Sequence, residues 1–151
     1  MLPAVHDTSA CVKSAYIHLP FCKRRCYYCD FPVSVIGSKA DSAPSQAMLD
    51  YIELLRQEIT STPRQSQSQL QTVYFGGGTP SLIPPALLSQ VLQTLRDMYG
   101  ISPTAEVSME ADPGTFDAAR LREYMQLGVN RFSIGIQSFQ EVGAEAAQVP
   151  L

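Results

Sequence analysis

The sequence lacks the features of a membrane or secreted protein. None of its apolar runs approaches the ~18–20 residues that a membrane-spanning helix needs. The first thirteen residues, MLPAVHDTSACVK, contain neither the hydrophobic region of a secretory signal nor the arginines typical of a transit peptide. We therefore expect a cytoplasmic protein whose cysteines stay reduced, or a plastid or mitochondrial protein if a targeting segment is missing from this chain.

Basic charge is also scarce. Eleven Lys and Arg residues stand against 14 Asp and Glu residues, for a net charge of −3, so the chain has no broad basic surface for nucleic acid. The length of 151 residues suits one domain, and the hydrophobic content of 45% fits a globular chain. We therefore expect a globular domain with neither a nucleic-acid partner nor a membrane span.

Strands and helices are predicted to alternate along the chain. Apolar patterning predicts strands at 14–19, 72–75, 106–110 and 131–137. It predicts helices at about 44–59, from Pro84-Pro85 with an apolar stripe up to a stop at Gly100, and at about 115–127 with a stop at Gly128. Asp41 or Ser42 could cap the first helix, and Phe132, Ile134 and Ile136 should share one face of the last strand. Each crossover is long enough to carry a helix, which predicts a parallel sheet with right-handed connections.

Four candidate features follow these strands. A cysteine-rich loop follows the first strand, Gly76-Gly77-Gly78-Thr79 follows the second, Glu110 closes the third and Gln137 closes the fourth. Ligands of parallel α/β folds bind at the carboxyl ends of the strands. Each feature alone could be a tight turn or a solvated strand end, but together they predict a binding site at one edge of the sheet.

The cysteine loop reads CKRRCYYC, with Cys22, Cys26 and Cys29 at intervals of four and three. Three thiolates can hold three irons of a [4Fe–4S] cluster and leave the fourth iron open. The alternatives are a zinc site completed by His18 or Cys11, a thioredoxin-like pair at the C-x-x-C, and thiols without a role. The spacing alone leaves these alternatives open.

The glycine run matches neither the phosphate-loop nor the dinucleotide-binding pattern. Three glycines after a strand still allow backbone N–H and C=O groups to approach a ligand closely. A tight turn between a strand and a helix would explain them equally well.

Four longer motifs carry a resemblance to a known family. YIHLPFCKRRCYYCDF, VYFGGGTPSLIP, SMEADPGT and LGVNRFSIGIQSF follow one another between residues 14 and about 140. With them the chain resembles the radical S-adenosylmethionine (SAM) superfamily, and more narrowly the oxygen-independent coproporphyrinogen III oxidases and their heme-chaperone-like relatives. The resemblance implies an α/β fold that comprises about four β/α units from the N-terminal portion of a partial six-stranded, TIM-like barrel.

The resemblance also implies the cofactors and their contacts. Cys22, Cys26 and Cys29 would ligate a [4Fe–4S] cluster, whose electron cleaves bound SAM to methionine and a 5′-deoxyadenosyl radical. The implied SAM-site residues are Tyr16, Tyr28, Gly77, Gly78, Thr79, Glu110 and Gln137. The resemblance implies no catalytic residue within this sequence.

Phe31 bears on the branch of the family. Similar oxidases carry a fourth cysteine two residues after the third, whereas this chain reads Cys29-Asp30-Phe31, the form of the heme-chaperone-like branch. The resemblance therefore favours a chaperone-like protein of tetrapyrrole or heme metabolism. Heme or a porphyrinogen would be its further ligand, and a flavodoxin or ferredoxin its electron donor.

The resemblance ends near residue 140. We expect an N-terminal extension at 1–13, a truncated radical SAM core at 14–140 and a divergent tail at 141–151. Such a chain would be too short for the full oxidoreductase-like activity of its relatives. The alternative hypothesis is an inactive truncated isoform or fragment that acts at most as an iron–sulfur binding module.

Overall fold

A computed structural model describes residues 12–37, 44–64 and 68–140. Within these ranges the strands are β1 (Ser14–Leu19), β2 (Phe21–Cys22), β3 (Ser34–Val35), β4 (Leu70–Gly77), β5 (Ile101–Ala111) and β6 (Arg131–Ile134). The helices are α1 (Gln46–Ser61), α2 (Pro85–Tyr99) and α3 (Ala118–Leu127), with a 3₁₀ turn at Pro80–Leu82. None of the described helices is long and apolar enough to cross a membrane.

The main sheet contains four parallel strands in the order β1-β4-β5-β6. Each new strand is added beside the preceding one, and α1, α2 and α3 form the three crossovers. The predicted alternation of strands and helices and the parallel sheet are confirmed. Because all four strands run in the same direction, their carboxyl ends lie along one edge.

The two faces of the sheet differ in polarity because side chains alternate along each strand. One face is apolar and packs against the helices. The buried residues of this core include Ile17, Leu19, Val73, Phe75, Val107 and Met109 from the strands and Met48, Ile52, Leu88, Val91 and Leu92 from α1 and α2. The other face is polar: Thr72 donates a hydrogen bond to the Ser14 hydroxyl at 2.7 Å, and the Tyr16 and Tyr74 rings stack with centroids 6.0 Å apart.

The helix ends follow ordinary capping chemistry. The predicted caps Asp41 and Ser42 lie outside the described residues, and the structure assigns the α1 cap to Ser45, whose hydroxyl accepts a hydrogen bond from the Met48 N–H at 3.2 Å. Gly100 and Gly128 end α2 and α3 with φ angles of 72° and 107°, where a side chain would be strained. Both glycine stops were predicted from the sequence.

The predicted strand at 131–137 is too long. β6 ends at Ile134, which pairs with Ala111, the last residue of β5. Beyond Ala111 the neighbouring chain turns at Asp112–Thr115, so the pairing of β6 with β5 ends where the Gly135 N–H donates to the Ala111 carbonyl. Ile134 and Ile136 are each 51% exposed, and of the three predicted face residues only Phe132 packs against the core. The β2–β3 ladder inside the cysteine loop was not predicted.

Tyr124 ties α3 to the turn after β4. Its ring is 1% exposed, and its hydroxyl lies 2.9 Å from the Ser81 carbonyl oxygen and 2.8 Å from that of Ile83. Burial raises the pKa of Tyr124 to about 12, so its hydroxyl stays protonated and remains a donor at neutral pH. This contact fixes the position of Pro80–Leu82 and, through it, of the residues that precede the turn.

Tyr124→Phe should lower the free energy of unfolding by about 1–3 kcal/mol, because two buried carbonyls lose their donor. Urea unfolding followed by circular dichroism would measure the loss. Tyr99→Phe is the matched control, since that hydroxyl donates to the Ile59 and Thr62 carbonyls at 3.4 and 3.2 Å from a partly exposed position. An equal loss in both variants would show that burial of the Tyr124 contact has no special weight.

Candidate functional site

A cavity of about 260 Å³ opens at the carboxyl edge of the sheet. Its walls come from the loop between β2 and β3, the turn after β4, the end of β5 and the chain around and after the end of β6. The predicted site residues that line it are Cys22, Cys26, Tyr28, Cys29, Gly78, Thr79, Glu110 and Gln137. Features that are scattered over more than 100 residues of sequence therefore meet in one place because parallel strands end together.

The three cysteines approach this cavity from different supports. Cys22 is the last residue of β2, and its carbonyl oxygen accepts a hydrogen bond from the Ile36 N–H at 2.9 Å. Cys26 and Cys29 lie on the loop that follows, where the Cys29 N–H donates to the Cys26 carbonyl at 3.2 Å. All three thiols are free and partly exposed. The loop thus presents three unbridged sulfur donors to a common space.

Cys22 is the most constrained of the three. The Thr79 hydroxyl donates a hydrogen bond to its Sγ over 3.5 Å. Burial raises the pKa of the Cys22 thiol, the Thr79 hydrogen bond opposes that shift, and the neighbouring Cys29 and Cys26 add to it. A positive charge placed among the three sulfurs would reverse the balance, which is the usual reason that clustered thiolates bind metals.

The donor set fits the requirements of an iron–sulfur cluster. Within residues 12–37, 44–64 and 68–140, no group of three or more His, Cys, Asp or Glu side chains is arranged to hold a metal ion. A [4Fe–4S] cluster places each thiolate on a separate iron, so its ligands must line one cavity without converging on one point. Three free thiols around one cavity meet that requirement.

The alternative ligands for zinc receive no support from the described residues. The His18 ring lies against Gly77, at which a Cβ atom would be 2.8 Å from the His18 Cε1 and Nδ1 atoms, and His18 does not line the cysteine cavity. Its Nδ1 atom is instead 3.3 Å from the Tyr16 hydroxyl. Cys11 lies outside the described residues.

The glycine run differs from the prediction in its placement. β4 extends through Gly77, so the first two glycines belong to the strand and do not follow it. Gly77 has a φ of 116°, and a Cβ atom at Gly78 would lie 2.7 Å from the Phe21 carbonyl oxygen. Gly78 is required because the chain that leaves β4 passes directly under the chain that carries Cys22.

Glu110 links the ends of β4 and β5. Its Oε1 accepts a hydrogen bond from the Tyr74 hydroxyl at 2.7 Å, and its Oε2 accepts one from the Gly77 N–H at 3.2 Å. The hydrogen bond to the carboxylate raises the pKa of Tyr74 to about 12. Sequence reasoning missed Tyr74, although alternation along β4 places it on the same face as Tyr16 and Glu110.

The remaining predicted residues occupy less central positions. Tyr16 and Gly77 do not line the cysteine cavity; Tyr16 lines a second space of about 300 Å³ beside α1. Tyr28 is 56% exposed, and partial burial followed by the charge of Cys26 raises its pKa. Gln137 lies in irregular chain beyond β6, and so it does not close the strand as predicted, but it reaches the cavity.

Asp112 is a second residue of the cavity that was not predicted from the sequence. It follows β5 directly, is partly buried and lines the cavity. Burial raises the pKa of its carboxyl, while Arg24 and Lys23 oppose that shift. Its position two residues after Glu110, at the start of a Pro-Gly turn, was the available sequence signal.

Comparison with known proteins settles the family. The model of the radical SAM superfamily matches residues 16–147. The chain belongs to the radical SAM superfamily. This match confirms the resemblance that the four motifs indicated.

Within this superfamily, the chain is similar to heme chaperones and to a coproporphyrinogen III oxidase. The chain is 48% identical over 128 residues to the heme chaperone HemW of Synechocystis sp., a match that covers 85% of this chain and 31% of the relative. It is 36% identical over 129 residues to HemW of Escherichia coli, with 85% and 32% covered. It is also 35% identical over 138 residues to the oxygen-independent coproporphyrinogen III oxidase of Cereibacter sphaeroides, with 87% and 30% covered.

A solved structure shows the same similarity in three dimensions. The radical SAM enzyme coproporphyrinogen III oxidase (HemN) of Escherichia coli superposes with a TM-score of 0.77 at 28% identity, covering 93% of this chain and 32% of that one. The predicted α/β fold, similar to part of a radical SAM barrel, is therefore confirmed. This radical SAM chain spans about a third of the length of the relatives it matches.

Proposed function

We propose that this radical SAM protein binds a [4Fe–4S] cluster through Cys22, Cys26 and Cys29, and binds SAM in the cavity beside them. The observation that supports this most is that three free thiols share one cavity with Gly78, Glu110 and other polar groups at the carboxyl edge of the sheet. When bound, the cluster supplies the electron that cleaves SAM to methionine and a 5′-deoxyadenosyl radical.

The surrounding residues hold and orient the ligand in this proposal. The backbone of Gly78, which lines the cavity, lies beside the proposed SAM site, and Gly77 leads into it from the end of β4. Glu110 presents carboxylate oxygens to ribose hydroxyls or an ammonium group, and Gln137 offers both a donor and an acceptor. Thr79 and Tyr28, which line the cavity, complete the SAM site that we propose, together with Tyr16, whose ring stacks on Tyr74 next to Glu110.

We place the protein in heme or tetrapyrrole metabolism, nearer to the heme chaperones than to the oxidases. Phe31, which is 54% exposed, stands where the oxidases carry a fourth cysteine. Two of the relatives described above are named heme chaperones. In this proposal heme or a porphyrinogen is the further ligand, a flavodoxin or ferredoxin supplies electrons, and the free thiols suit a reducing compartment such as the cytoplasm.

A second candidate function is an iron–sulfur binding module without catalytic activity. It requires only the three free thiols that line the cavity, without productive cleavage of SAM. In both candidates residues 14–140 form the radical SAM core, between an extension at 1–13 and a tail at 141–151.

Anaerobic reconstitution followed by a SAM cleavage assay separates these functions. Iron and sulfide incorporation with reductant-dependent formation of 5′-deoxyadenosine would support a working core. Cluster incorporation without 5′-deoxyadenosine would support the binding module, and failure to incorporate a cluster would contradict both. Heme titration and a coproporphyrinogen assay on the reconstituted protein would then distinguish chaperone-like from oxidase-like behaviour.

Glu110→Ala should weaken SAM binding while leaving the iron content unchanged. The expected loss is about 1–3 kcal/mol, because the variant removes a ligand contact and also releases the Gly77 N–H and the Tyr74 hydroxyl. Equilibrium binding of SAM to the reconstituted variant would measure it. Glu106→Ala, on the same strand but paired with Arg131 at the surface, is the control. Unaltered SAM binding in Glu110→Ala would reduce Glu110 to a structural link between β4 and β5.

A further inference from the structure

The backbone of Asp112 is fixed on both sides. Its N–H donates to the Ser81 hydroxyl at 3.2 Å, and its carbonyl oxygen accepts hydrogen bonds from the Thr115 hydroxyl at 2.6 Å and the Thr115 N–H at 3.1 Å. Ser81 and Thr115 are themselves buried and hydrogen-bonded to each other. The side chain of Asp112 therefore projects from a rigid support at the wall of the cavity.

The carboxylate of Asp112 is left available. Among the described residues, the hydrogen bonds and ion pairs of the structure involve only its backbone atoms. Glu110 differs, because the Tyr74 hydroxyl and the Gly77 N–H occupy one oxygen each. Two carboxylates thus line the same cavity, one engaged within the protein and the other free to accept from a ligand.

Nearby cations do not neutralise this carboxylate by direct contact. Lys23 and Arg24 oppose the effect of burial on the pKa of Asp112. Lys23 donates from Nζ to the Gly114 carbonyl at 3.2 Å, and neither cation lies within ion-pair distance of Asp112. A partly buried carboxylate with charged neighbours at longer range is suited to a positively charged ligand group, which can supply the missing donor.

The position of Asp112 selects one end of SAM. Asp112 lies on the cysteine side of the cavity, because Lys23, the residue after Cys22, donates to the Gly114 carbonyl in the turn that begins at Asp112. SAM carries its two positive charges, the ammonium and the sulfonium, at its methionyl end. We infer that the Asp112 carboxylate binds the ammonium or the sulfonium group of SAM, beside Glu110, whose two oxygens each already accept one hydrogen bond from the protein. This inference rests on the proposed binding of a cluster and SAM in this cavity.

Asp112→Asn tests the inference, because it removes the charge and keeps the shape of the side chain. In the anaerobically reconstituted protein we expect the dissociation constant for SAM to rise about tenfold, as for a lost charge-assisted contact. S-adenosylhomocysteine, which lacks the sulfonium charge, shows which cation Asp112 binds. If Asp112→Asn weakens its binding as much as that of SAM, Asp112 binds the ammonium. If Asp112→Asn weakens its binding less, Asp112 binds the sulfonium. 5′-Methylthioadenosine lacks both charges, and its binding should stay within twofold of the wild-type value.

Asp97→Asn is the matched control, since Asp97 is exposed on α2, and the variant removes one carboxylate while it retains an acceptor for Gln93. It should bind all three ligands like the wild type. Equal weakening of all three ligands in Asp112→Asn, or no weakening of SAM, would overturn the inference. So would a fall in iron content, which would mean that Asp112 supports the cysteine loop. A wild-type protein that incorporates the cluster but binds no SAM would instead overturn the proposed function on which the inference depends.

Discussion

Replacing any one of Cys22, Cys26 and Cys29 with alanine should abolish cluster incorporation. A [4Fe–4S] cluster held by three thiolates has no substitute thiol or imidazole ligand among the described residues, because His18 faces Gly77 and no other cysteine lines the cavity. We expect the iron content after anaerobic reconstitution to fall to near zero in each variant. Iron and sulfide analysis, together with the visible absorbance of the reconstituted protein, would measure it.

Cys11→Ala is the control for these variants. It removes the fourth cysteine of the chain, which lies outside the described residues, and should leave the iron content unchanged. Equal loss of iron in Cys11→Ala would show that the ligand set is wrong. Retention of iron in a Cys22, Cys26 or Cys29 variant, combined with bound zinc in the wild type, would favour a zinc site.

Gly78→Ala should impair both stability and cluster binding. The added Cβ would lie 2.7 Å from the Phe21 carbonyl oxygen, 2.8 Å from the Pro20 carbonyl carbon and 3.0 Å from the Cys22 Sγ. Two of these neighbours are backbone atoms that cannot rotate away, so the clash must separate β4 from the chain that carries Cys22. We expect about 1–3 kcal/mol of lost unfolding free energy, as for overpacked interiors, and a large loss of reconstituted iron.

Gly135→Ala provides a comparison within the same cavity. A Cβ atom there would meet the Gln137 Nε2 at 3.1 Å, the end of a flexible side chain, and the Ala111 carbonyl oxygen at 3.9 Å. Its unfolding free energy and iron content should therefore stay close to the wild-type values in urea unfolding and metal analysis. Wild-type behaviour in Gly78→Ala would show that the junction between Gly78 and Cys22 is more adaptable than its contacts indicate.

Most of the fold could be predicted because its signals are local. The apolar stripe of α2 and its glycine stop, for example, depend on residues close together in sequence, and the structure ends the helix at Gly100. The boundary of β6 could not be predicted in this way. Its apolar alternation continues past Ile134, but a strand also requires a partner, and β5 ends at Ala111.

Some features of the candidate site could likewise be predicted from local sequence, and others could not. The spacing of Cys22, Cys26 and Cys29 and the order of the four motifs indicated a radical SAM protein, which the family match confirmed. The roles of Tyr74 and Asp112 could not be predicted from the sequence, because neither residue stands in a local pattern that indicates a function. Tyr74 became significant through its 2.7 Å hydrogen bond to Glu110, a residue 36 positions away.

By itself, the sequence determined the order of strands and helices, the family and the set of candidate donors, since each depends on residue type and local spacing. Only the tertiary structure decided that Glu110 accepts two hydrogen bonds within the protein while Asp112 leaves its carboxylate free at the cavity wall. The physical reason is that the carboxyl ends of parallel strands bring distant residues together, and competition among their hydrogen bonds selects which polar groups remain for a ligand.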